Sequence, residues 1–372
     1  MKKSSFRRPS KGCKFRVDFN CDKRMRQKQK LKVHYVGGVH HEGSSFSRYN
    51  ALSKIYSEVS LLDTSPTHSI IGRLKTKFIR RFGLYMDKKI IETIAIKEPN
   101  IVWFDKPTMI SNLGVSEIIA KHSEKVIVAH ITDDINTIKR YDPEIEKKLS
   151  QFDAVFTPNK FNIKEYPEIR LVYNELGYDA EMYKPLKTTP NILRKTLSFV
   201  GHFEPSYEKE LIKISNLLKD TEFNLAIYGT GWWRAKDLIN RKDVRVQSGW
   251  QSLDQLKMIY TESVAGIGLY SAINRNQTSG RIFEIPALKV PLVTIENPVI
   301  KHFLGGNYIN INSFDSPAKF LQSLRSKDYL RDLSNNAIEC MAHTKCTWQE
   351  KMDECVEHID QILATKLKTT SK

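Results

Sequence analysis

Past residue 31 the chain settles into short apolar runs separated by longer stretches with helical spacing. In the first half the runs fall at 32–36, 59–62, 101–104, 125–131, 154–156 and 170–173, with helix-length stretches at 46–56, 70–96, 110–122 and 143–150. In the second half they recur at 197–200, 223–228, 244–246, 264–269, 291–295 and 308–311, again alternating with helical segments. Runs this apolar belong to strands buried on both faces. Their alternation with helices predicts parallel sheets covered on either side. Two such sets in series predict an α/β architecture of two doubly wound, Rossmann-like domains facing a cleft. The polar stretch 183–196, with Pro185 and Pro190, marks the junction, so the expected units are 32–186 and 187–346. Trp348, Met352, Cys355, Val356, Ile359, Ile362 and Leu363 share one helical face, which predicts a closing amphipathic helix over 347–365.

Charge adds a third region. The 372 residues hold 59 Lys+Arg against 42 Asp+Glu, a formal +17. Residues 1–32 carry 13 of the basic groups against Asp18 and Asp22 alone. With few apolar residues and no period, segment 1–31 is expected to be disordered by itself. It reads as an electrostatic contact for nucleic acid or an anionic membrane face, or as a solubilising tail. No apolar run approaches the roughly 18–20 residues of a membrane span, and the basic start lacks the apolar centre of a secretory signal. Five cysteines make a poor disulfide framework. The expectation is a cytoplasmic protein, at most peripheral at the inner membrane face.

Ligands of open parallel sheets bind beyond the carboxyl ends of the strands, where strand order reverses. The loops there hold the candidate chemistry. After the first strand come Gly37 and Gly38, then Ser44 and Ser45 at a helix start, a place for an anion or sugar hydroxyls, or simply a capped turn. After the fourth come His130, Asp133 and Asp134, where a carboxylate could take a proton from a hydroxyl or cap the next helix. In the second half Gly201 closes one strand, and Gly229 and Gly231 follow another with Trp232 behind them. These glycines would let backbone amides approach a phosphate, and the tryptophan could stack on a base or sugar. Arg234 occupies the third glycine position of a dinucleotide fingerprint, which speaks against a nicotinamide cofactor. The richest stretch runs from Asn276 through Gln277, Thr278 and Ser279 to Arg281 and Glu284. A guanidinium suits a diphosphate and a carboxylate suits ribose hydroxyls, while an i,i+3 ion pair explains the same spacing.

Taken in order, KVHYVGG (32–38), PNIVWFDKP (99–107), LVYNELGYDAEMYKP (171–185), LSFVGHFEPSYEKEL (197–211), LAIYGTGW (225–232) and SGRIFEIPALKVPLVT (279–294) resemble GT-B glycosyltransferases, most closely the CgeB-like spore maturation group. The resemblance implies a GT-B fold and a nucleotide-diphosphate sugar held mainly by the second domain, with the acceptor approaching from the first. It implies Glu284 on the ribose, Arg281 on the diphosphate, and the loops at Gly201 and Gly229 near phosphates and base. Gln277 stands where retaining members often carry a glutamate. Glu204 stands where an arginine is usual, leaving Lys209 as the nearest cation. A weaker similarity links Thr132-Asp133 and the Arg-x-x-Glu pair to phage DNA β-glucosyltransferases. It implies Asp133 as the base of an inverting displacement.

The expected activity is therefore sugar transfer to an acceptor hydroxyl, metal-independent or only metal-assisted, with no cofactor beyond the nucleotide sugar. The acceptor could be a glycan, a protein or modified DNA. A sugar-nucleotide epimerase on the same fold, and a non-catalytic polyanion-binding scaffold, remain open alternatives at this level. Cys340, His343, Cys346 and Cys355 look like a zinc cluster, but their helical spacing makes them packing residues instead.

Overall fold

The computed structural model describes residues 31–39, 42–65, 86–186, 194–314 and 316–370. The basic segment expected over 1–31 (Leu31 apart), much of the 70–96 stretch and part of the junction lie outside the described residues. The first domain runs β1 (Lys32–Gly37), α1 (Ser44–Ile55), β2 (Glu58–Asp63), α2 (Asp87–Lys97), β3 (Ile101–Asp105), α3 (Asn112–Lys121) and β4 (Val126–His130). It continues with α4 (Ile135–Lys139), α5 (Ile145–Leu149), β5 (Ala154–Thr157), α6 (Lys160–Glu165) and β6 (Leu171–Tyr173). The second runs β7 (Thr196–Val200), α7 (Pro205–Leu218), β8 (Asn224–Gly229), α8 (Lys236–Ile239), β9 (Val244–Ser248), α9 (Leu253–Thr261) and β10 (Ala265–Ile267). Then follow α10 (Gly280–Ala287), β11 (Leu292–Thr294), α11 (Pro298–Leu304), β12 (Ile309–Asn310), α12 (Pro317–Arg325), α13 (Lys327–His343) and α14 (Trp348–Thr370).

Each domain is a six-stranded, all-parallel sheet, ordered β2-β1-β3-β4-β5-β6 and β12-β11-β10-β7-β8-β9. This is the two-domain α/β architecture that the alternation predicts. Central strands such as β3 and β4 are buried at every position, as sheets covered on both faces require. The strand order reverses between β1 and β3 in the first sheet and between β7 and β10 in the second. The carboxyl ends of those strands face one another across the molecule.

The chain passes between the domains twice, and the two passages lie side by side. The Tyr178 amide donates to the Cys346 carbonyl at 3.0 Å and the Trp348 amide to the Tyr178 carbonyl at 2.9 Å. A Cβ at Gly177 would meet the Trp348 nitrogen at 2.9 Å, so glycine lets the strands of this joint touch. Helix α14 then lies against the first domain, with Trp348, Met352, Cys355, Val356 and Ile359 packed on Val33, Tyr35, Leu52 and Trp103. Among the described residues no helix is long and apolar enough to cross a membrane.

Two histidines are sealed in this first domain. His130 is held neutral down to about pH 3 by burial and by the nearby Arg48 charge, and His34 down to about 4 by burial and Lys97. Below pH 6.5 the unfolded chain takes up these protons and the folded chain does not. Stability therefore falls with pH, by up to about 1.4 kcal/mol per histidine per pH unit, until the folded values are reached. Urea midpoints measured from pH 7 to pH 4.5 should show this decline, and His130→Gln should flatten it. An unchanged slope in the variant would assign the acid sensitivity to other groups.

Candidate active site

A cleft of about 500 Å³ opens between the two sheets. The first domain contributes Glu42, Gly43, Thr132 and Asp133 on loops after β1 and β4, and Ser44 at the start of α1. The second contributes Gly201, Glu204, Gly229, Trp250, Asn274, Asn276, Thr278 and Ser279 from the ends of β7, β8, β9 and β10 and the loops that follow them, and Gly280, Arg281 and Glu284 from helix α10.

The second-domain wall is built on close glycine contacts. Gly229 adopts φ +138°, and a Cβ there would lie 2.0 Å from the Gly201 carbonyl oxygen. The two loops can approach only because that position has no side chain. Trp232 lies beneath them, fully buried, donating its indole N–H to the Gly201 carbonyl at 2.7 Å and packed edge-on against Phe199 and Phe203. The tryptophan expected to stack on a ligand is thus a prop for the glycine loop. Gly231 turns the chain into that prop at φ +83° and does not line the cleft. Trp250, 81% exposed, is the most open aromatic ring on the cleft lining. Lys209 lies exposed on α7 and outside the lining.

At the start of α10 the chain is extended through Ser279, whose hydroxyl is buried without a partner. Thr278 donates to the buried Glu175 carboxylate at 2.6 Å, and Gln277 gives its carbonyl to the Asn297 amide at 2.7 Å. Arg281 and Glu284 touch one another on the cleft wall, and the Arg281 Nε donates to the Val200 carbonyl at 3.3 Å. Their side chains keep 28% and 13% of their surface open. Burial works against the Arg281 charge, but Glu284, with Tyr260 and Tyr183, more than restores it. Burial pushes the Tyr260 phenol up to about 12.

Across the cleft the two adjacent aspartates part company. Asp133 lies on the lining, with Lys106 Nζ at 3.1 Å and Asn274 Nδ2 at 3.2 Å. Asp134 is 1% exposed, caps α4 by accepting from the Asn136 amide at 2.8 Å, and is paired with Arg275. Only the first can meet a substrate. Ser44 opens α1 on the lining. Ser45 instead faces inward, where it accepts from Tyr35 at 3.0 Å and from Arg48 at 3.3 Å. Gly37 and Gly38 stand behind the lining, and Gly37 packs so closely on Asp105 that a Cβ would sit 2.7 Å from its Cβ. His130 is sealed against Trp103 and Trp348 with neither ring nitrogen bonded.

Sequence reasoning passed over Lys106, Trp250, Asn274 and Arg275. The first two follow β3 and β9 directly, so the rule of strand ends could have found them. The Glu204 departure also has a physical account. Its buried carboxylate accepts from the Ala272 and Ile273 amides at 3.0 and 3.3 Å and from Ser206, so it shapes a loop rather than meeting a phosphate. Cys346 and Cys355 are buried free thiols, the former pushed up to about 12 by burial. Among the described residues no three His, Cys, Asp or Glu side chains gather to hold a metal ion.

Residues 211–364 match the family model described as glycosyl transferase-like. No curated protein matches the chain by sequence. Among solved structures, the trehalose-6-phosphate phosphatase N-terminal domain of Candida albicans superposes with a TM-score of 0.65 at 10% identity, covering 90% of this chain and 97% of that one. Sucrose-phosphate synthase from Thermosynechococcus elongatus gives 0.64 at 11%, covering 90% and 100%. An α-glucosyltransferase in complex with UDP and a 13-mer DNA containing an HMU base gives 0.60 at 12%, covering 90% and 99%. At these identities the likeness carries the fold, which is GT-B.

Proposed function

We propose that the protein is a glycosyltransferase that moves a sugar from a nucleoside-diphosphate sugar, a uridine one first, to an acceptor hydroxyl. The observation that carries this reading is the constellation at α10. An extended turn with an unbonded Ser279 hydroxyl opens a helix into the cleft, and Arg281 and Glu284 follow on its first two turns. A helix start is suited to an anion, so the diphosphate would rest there, with Arg281 receiving the charge that develops as the sugar–phosphate bond breaks. Glu284 would accept from the ribose hydroxyls, and the loops at Gly201 and Gly229 would leave room for phosphates and base. Asp133, on the opposite wall, would take the acceptor proton. The match over 211–364 and neighbours whose titles name UDP support the donor class.

The CgeB-like kinship rests on the ordered motifs between 32 and 294. The stereochemical outcome divides two readings of Asp133. One neighbour's title names transfer with retention, and here Gln277 stands at the position of the usual second glutamate. An inverting displacement would use Asp133 as the base. Among acceptors, DNA draws support from the formal charge of +17 and from the neighbour solved with DNA. An anionic membrane contact would draw on the same charge.

The test is calorimetry with UDP, GDP and dTDP, followed by nucleotide release from their sugars with and without acceptors, in chelator and in added Mg²⁺. Tight UDP binding and acceptor-dependent release are expected, with little change on chelation. Release without any acceptor requirement would favour an epimerase, and no binding of any nucleotide would favour a scaffold. NMR of the product anomer would assign retention or inversion.

A further inference from the structure

Between β10 and α10 the chain leaves the second domain, touches the first, and returns. Thr137 donates to the Ile273 carbonyl at 3.1 Å, and Asn159 to the Asn274 carbonyl at 2.7 Å. Asn274 in turn donates to Asp133. Arg275 grips Glu165 through two nitrogens, at 2.6 and 2.8 Å, pairs with the buried Asp134, and lies 5.0 Å over the Phe161 ring. It does so at φ +49°, a conformation costing a non-glycine residue on the order of 1 kcal/mol that survives only where surrounding contacts enforce it. The same loop is fastened behind by Glu204, which holds its Ala272 and Ile273 amides and itself lines the donor side of the cleft. A continuous set of bonds therefore runs from the phosphate side of one domain to the candidate base of the other.

We propose that loop 271–276 is a clasp between the domains, in which Asn274 and Arg275 are positioning residues that present Asp133 to the acceptor only while the cleft is shut. This rests on the role given to Asp133 above. Arg275 fixes Asp134, the backbone neighbour of Asp133. Asn274 holds one oxygen of Asp133 and Lys106 the other, so the carboxylate has a single orientation. Opening the cleft strips both restraints supplied by the second domain and leaves the buried Asp134 without its cation. That makes the open and shut states distinct rather than a continuum.

The test uses the full chain with Arg275→Ala, Asn274→Ala and Arg275→Lys. For Arg275→Ala we expect a larger radius of gyration by small-angle scattering and a UDP affinity within about threefold of wild type. Nucleotide release should fall roughly tenfold or more with little change in donor KM, since a misplaced reacting group is felt in turnover. Asn274→Ala should lose turnover without expanding, and Arg275→Lys should recover part of the compactness. Wild-type scattering and turnover in Arg275→Ala would overturn the clasp, as would a turnover loss matched by an equal loss of UDP affinity. If the wild-type chain binds no nucleotide, the donor reading falls instead. The scattering arm needs no ligand and still decides the clasp.

Discussion

Replacing Glu284 with alanine is expected to weaken UDP binding by roughly 10- to 100-fold, the loss of about 1.5–3 kcal/mol for hydrogen bonds to a charged group. The carboxylate would change partners when a ligand binds. Glu284 is paired with Arg281. A nucleotide would replace that pairing with two others, ribose hydroxyls on the carboxylate and diphosphate oxygens on the guanidinium. Deleting the carboxylate removes the first and releases the second, so the two effects oppose one another. The net loss is expected because the guanidinium is already charged and held in place by the Val200 carbonyl, so little is gained by freeing it.

The pair can be separated by ligand series. Glu284→Ala should weaken uridine, UMP and UDP by similar factors, because all three carry the ribose. Arg281→Ala should spare uridine and weaken UDP most. If Glu284→Ala binds UDP as tightly as wild type, or more tightly, the ribose lies elsewhere and the pair is a structural brace.

The contrast between these residues and others shows what a sequence can disclose. The central strands were legible because an apolar run such as 101–104 is a self-contained record of burial on both faces, and the half-exposed edge strands β2, β6 and β9 because their apolar residues still recur between helical stretches. Arg281 and Glu284 were legible because they lie on one turn of one helix. The apolar run 264–269 outlasts its strand because nothing local says that the ladder ends at Ile267 and the chain then bends toward the cleft. Helices α4 and α6, of five and six residues, are too short to show a period. That Trp232 turns inward and not into the cleft depends on where Gly201 comes to rest, 31 residues away. Asp133 and Asp134 are neighbours whose fates are decided by a loop 141 residues away. Pairings of that kind exist only once the domains meet, so no spacing rule along the chain can carry them.

The second large effect is expected where no ligand is involved. Arg48 and Asp105 form a bidentate pair at 2.7 and 3.0 Å with both side chains fully enclosed, 57 residues apart in sequence. Tyr35 adds its hydroxyl to the same carboxylate, Ser45 takes a bond from each of Tyr35 and Arg48, and the guanidinium lies 4.7 Å over the Trp348 ring. One buried charge pair thus joins β1, β3 and α1 to the start of the returning helix α14. Burial alone would raise the Asp105 carboxyl, but Arg48 overcomes it and holds the group down to about 2. Removing one partner strands the other in a dry interior. Arg48→Met should therefore cost about 3–5 kcal/mol, and Asp105→Leu a similar amount. The double variant should recover most of that loss, because two apolar side chains of comparable volume need no partner at all. Urea unfolding followed by tryptophan fluorescence would measure all three. If the double variant is as unstable as the sum of the singles, the pair contributes more than charge compensation. The Tyr35 and Ser45 bonds would then be what fixes the loop at Ser44.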